Sequence, residues 1–113
     1  ESYNDLNETK KILLNNDIKN ERIHLFDVQK PIKINHQIDF VISLKSMGYH
    51  YPFELYLDLF KQCCSINTVF IFDVIDRDNN DNKLTKYFED IKIIYEEKSI
   101  HPLKRLCCKN FKF

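Results

Sequence analysis

IDFVISL at residues 38–44 and TVFIFDV at residues 68–74 are the two stretches whose reading decides the fold. Both are nearly continuous apolar runs rich in branched and aromatic residues, the pattern of strands buried on both faces of a parallel sheet. Between them, Tyr51-Pro52 opens a helix. Proline suits a first helical turn, and Phe53, Tyr56, Leu57, Phe60 and Cys64 fall at i, i+3, i+4, i+7 and i+11, on one face. Strand, helix, strand in this order predicts a crossover unit with its two strands side by side and pointing the same way.

Upstream, Asp5 and Glu8 have the spacing of a capping box, and Leu6, Leu13 and Leu14 carry a modest apolar stripe up to Asn15-Asn16-Asp17, which predicts a first helix. Arg22 to Val28, with Ile23, Leu25 and Phe26 before Asp27 and a Lys30-Pro31 stop beyond, reads as a short buried strand. Downstream, a charged loop at 76–82 leads to a short helix with Leu84, Tyr87, Phe88 and Ile91 on one side. Lys92 to Glu96 and Leu103 to Lys109 then read as two strands, close enough to pair antiparallel. The fold class expected is α/β, Rossmann-like, with a mostly parallel sheet and a C-terminal antiparallel hairpin, in a single domain over residues 1–113.

Composition narrows the function classes. The 17 Lys and Arg balance the 17 Asp and Glu, so no global field favours nucleic acid or a charged membrane surface. No apolar run approaches the roughly 20 residues that a bilayer requires, and the polar start lacks a signal-peptide core, so a cytoplasmic location is the expectation. The four cysteines form two adjacent pairs, Cys63-Cys64 and Cys107-Cys108. That arrangement suits neither a disulfide framework nor zinc, and reduced, mostly buried thiols are expected. The chain begins without methionine, which suggests that sequence precedes Glu1.

In crossover sheets, ligands bind beyond the carboxyl ends of the strands. Asp27 stands at one such end and could accept a hydrogen bond from a ligand amine or hydroxyl, or serve as a loop or cap aspartate. The segment Ser43 to Pro52 stands at another and holds Gly48, the only glycine in the chain, where a sharp turn or close approach is expected. Around it, Ser46, Tyr49 and Tyr51 offer hydroxyls that could orient a polar substrate. His50 could act as a general base, or the imidazole and phenols could pack the helix entrance. Asp78, Asn80, Asn82 and Glu89 match oxygen-ligand positions of a calcium loop. Lys83 occupies the position that needs glycine, so no metal is expected. A nucleophile built from Cys63 and His50 lacks anything that would orient it.

The run IDFVISLKSMGYHYPFELYLDLF followed by TVFIFDV resembles the stretch from the fourth to the fifth strand of class I S-adenosylmethionine-dependent methyltransferases. It is most similar to a subgroup with a serine-tryptophan-glycine-phenylalanine-histidine-tyrosine-proline loop. Here that loop is Ser46 to Pro52, with Met47 for tryptophan and Tyr49 for phenylalanine. The resemblance implies a partial methyltransferase fold in which Asp27 and Val28 contact the adenine of S-adenosylmethionine and Ser43 lies near its methionine part. It further implies that His50 is the catalytic base and that Ser46, Tyr49 and Tyr51 bind a small hydroxylated acceptor such as a sugar for O-methylation. The family's glycine-rich cofactor turn has no counterpart, since Gly48 stands alone, and the first strand and most of the second are missing. Little cofactor binding by this chain alone is therefore expected, with another chain or an upstream segment as a further partner. A non-catalytic binding or assembly module, pairing through an exposed sheet edge, is the competing expectation.

Overall fold

The computed structural model describes residues 5–27, 29–47, 51–75 and 83–112. These fall into two units, Glu1–Lys33 and Ile34–Phe113. In the first, Asp5 caps helix α1 (Leu6–Asn15) by accepting the Asn7 amide at 2.8 Å, and no residue of α1 is buried. A 3-10 turn follows at Asn20–Arg22.

The second unit is one four-stranded sheet with β1 (Phe40–Ser43), β2 (Val69–Ile75), β3 (Phe88–Glu97) and β4 (Leu103–Phe111) in the order β1-β2-β4-β3. β1 and β2 run parallel, with Phe40 beside Val69 and Ser43 beside Phe72. β4 lies antiparallel between β2 and β3, setting Phe72 against Leu106 and Phe88 against Phe111. A 3-10 turn at Phe53–Tyr56 and helix α2 (Leu57–Cys63) connect β1 to β2.

The expected mostly parallel, Rossmann-like sheet is overturned. One of the three strand pairings is parallel and two are antiparallel, and the described residues contain only two α-helices. The physical reason lies in the partner that β2 takes on its second side. β4 supplies alternating Leu103, Arg105 and Cys107 against Ile75, Asp73 and Ile71, a full antiparallel ladder where a parallel sheet would need a further crossover. The strand expected at 22–28 does not form over its described residues, 22–27: Ile23 and Leu25 are half-buried, Phe26 is exposed, and none has a ladder partner. The helix expected around Leu84 to Ile91 gives way at Phe88, where β3 begins; Phe88 and Ile91 join the ladder opposite Phe111 and Cys108.

The register divides the sheet into two faces. Val41, Phe70, Phe72, Leu106, Cys108 and Ile91 share one face, and the 3-10 turn and α2 close over it. Phe53 sits at the centre of that layer, 5.5 Å from Phe60, 5.5 Å from Phe72 and 5.5 Å from Phe88 between ring centroids. Phe70 meets Phe88 edge-on at 4.9 Å and lies 5.3 Å from Phe111. Offset and edge-on ring pairs of this kind contribute about 0.5–1.5 kcal/mol each beyond area burial. Cys63, Cys64 and Cys108 are buried as free thiols and Cys107, on the other face, is half-buried. Burial, reinforced by the adjacent Cys63, pushes the Cys64 thiol up to about 12, and burial likewise pushes Cys108 up to about 12. No helix among the described residues is long and apolar enough to cross a membrane.

The opposite face is open on the β1 side. Phe40 and Ile42 are each 62% exposed, while Val69, Ile71 and Cys107 beside them are half-buried. Burial of β1 on both faces, expected from its composition, is therefore overturned: its even-numbered side chains have no covering layer among the described residues of the second unit.

Candidate functional site

Two sets of hydrogen bonds fix the ends of β1, and together they build the region where a ligand or partner would meet the sheet. At the amino end, the Ile38 amide donates to the Cys63 carbonyl at 2.9 Å, and the Val69 amide to the Asp39 carbonyl at 2.9 Å. The buried Thr68 hydroxyl donates to the Ile38 carbonyl at 2.6 Å and accepts the Ser65 amide at 3.0 Å. The end of α2, the start of β1 and the start of β2 are thus tied at one point.

At the carboxyl end, the tie is a buried carboxylate. Asp73 is 0% exposed. Its Oδ1 accepts from Arg105 Nε at 2.8 Å, and its Oδ2 accepts from Arg105 Nη2 at 3.1 Å and from the Lys45 amide at 2.8 Å. A fully desolvated carboxylate is tolerable only with partners of this kind, and the two-pronged guanidinium contact supplies charge as well as geometry. The hydrogen bond to Asp73 holds the Arg105 guanidinium above its usual range despite partial burial. Arg105 also lies over the Tyr95 ring at 5.4 Å, so β2, β4 and β3 contribute one residue each to a line across the open face.

Lys45 has φ +53°, in the left-handed region, where a non-glycine residue carries a cost of roughly 1–2 kcal/mol. Its amide bond to Asp73 offsets that cost and turns the chain sharply away from β1. The Ser43 hydroxyl accepts the Met47 amide at 3.0 Å, the Tyr51 amide donates to the Ser46 carbonyl at 3.1 Å, and Met47 is buried against the aromatic core. The backbone of the turn is thereby held at both sides of Gly48.

Of the residues singled out in the sequence, Ser43, Ser46 and Tyr51 meet in this turn. Ser43 and Ser46 are half-buried, and Tyr51 is exposed. Gly48, Tyr49, His50 and Val28 lie outside the described residues, as do Asp78, Asn80 and Asn82. Asp27 belongs to the first unit, is exposed, and accepts the Gln29 amide at 2.9 Å in a local turn rather than ending a strand. Of the residues expected to contact S-adenosylmethionine, Ser43 accepts the Met47 amide with its hydroxyl, Asp27 belongs to the first unit, and Val28 lies outside the described residues. No group of three His, Cys, Asp or Glu side chains among the described residues could hold a metal ion.

Sequence reasoning missed Asp73, Arg105 and Lys45. The available signal was Asp73 itself, a lone carboxylate inside the apolar run TVFIFDV, which demands a buried cationic partner. It also missed the exposed pair Phe40 and Ile42. Comparison of the chain with protein-family models, curated proteins and solved structures finds no match.

Proposed function

We propose that this chain is a binding and assembly module that docks another folded surface onto β1 and the apolar stripe beside it. A single observation carries the reading. β1 is an edge strand of the second unit, tied at both ends, whose Phe40 and Ile42 side chains are each 62% exposed on a sheet face that no described element of that unit covers there. Contiguous apolar surface next to an unpaired strand edge is the usual mark of an association site. Half-buried Val69 and Ile71 extend the stripe inward, and buried Asp73 with half-buried Arg105 limits it. Sedimentation of the full chain over a concentration series, beside Phe40→Lys, tests the reading. A species larger than the monomer that Phe40→Lys abolishes supports it. A wild-type chain that stays monomeric and gains no partner through this face removes it.

Methyl transfer to a small hydroxylated acceptor is the second reading, favoured by the parallel placement of β1 and β2 with the Ser43 to Pro52 turn leaving their shared carboxyl end. In it, His50 would take the acceptor proton, and S-adenosylmethionine would supply the methyl group. Val28 and His50 lie outside the described residues, so no further step follows from them. Titration calorimetry with S-adenosylmethionine on the longest natural form of the protein decides it: saturable heat supports methyl transfer, and its absence ends that reading.

A further inference from the structure

We draw no further inference here: the strongest candidate, the exposed apolar face of β1 at Phe40 and Ile42, belongs to the association surface already described, and nothing in the structure shows what covers it.

Discussion

The two edge strands of the sheet are built in opposite ways. β3 is ten residues long, half of them charged, and it is kinked where its register with β4 shifts. β1 is four residues long, carries no charge within its bounds, and is held straight by a tie at each end. Natural sheets protect their edges with charge, bulges or short length; β3 uses the first two and β1 relies on the last alone. Shortness limits what can pair with β1, but the exposed Phe40 and Ile42 favour pairing of whatever fits. The difference teaches that the sheet is finished on one side and presents a contact on the other.

The comparison can be broken most forcefully at Asp73. Asp73→Ala removes both the Arg105 clamp and the acceptor for the Lys45 amide, and leaves that amide and the half-buried guanidinium unmatched. Loss of about 1–3 kcal/mol is expected in denaturant melts, with β1 released at its carboxyl end. A stability unchanged within error would mean that β1 is not held as described.

Thiol ionisation separates the covered face from the open one. Cys64 and Cys108 have folded values near 12 against 9.0 when unfolded, because burial disfavours the thiolate. A raised folded value means that the stabilisation is complete below pH 9 and is lost as pH rises towards 12. Thermal melts across that window should therefore fall with pH, and a Cys108→Ser chain should fall less steeply. At pH 8 an alkylating reagent should mark Cys107 before Cys63, Cys64 or Cys108.

Thr68 is a smaller lever on the same strand. Thr68→Val deletes the hydroxyl that joins Ile38 to Ser65, at a cost of about 1–2 kcal/mol in the same melts, with the fold retained. The smallest stability effects belong to the edges themselves. Ile42→Lys and Ile93→Lys both replace exposed residues, and each should shift stability by no more than about 0.5 kcal/mol. Sedimentation should nevertheless tell them apart, since Ile42→Lys disperses the associated species and Ile93→Lys leaves it. Equal dispersal by both would erase the contrast between the two edges.

Much of the local structure was legible in the residues. The Asp5 cap of α1, the apolar runs of β1 and β2, and the spacing of Phe53 and Phe60 all appear where the chain's periodicity puts them. Pairing partners were not legible, because an apolar run states how much surface a strand wants covered and not whether a layer exists to cover it. Phe40 and Ile42 look like core residues for that reason. Phe88 and Ile91 satisfy a helical spacing, and only the ladder with β4 places them in a strand. Arg22 to Asp27 had the composition of a strand without a neighbour to pair with. At the site, Ser43 ends β1 and Ser46 lies in the turn after it, while the Asp73 and Arg105 pair, separated by 32 residues, needed the sheet to bring it together.

Amide hydrogen exchange, resolved residue by residue, addresses the central claim most directly. In dilute solution the outward amides of Phe40 and Ile42 should exchange fast while those of Val41 and Ser43, bonded to β2, stay protected. On raising the concentration, Phe40 and Ile42 should become protected together, with no change along β3. Fast exchange at Phe40 and Ile42 at every concentration, in a chain that is nonetheless associated, would show that the contact lies elsewhere and that β1 is not the docking edge.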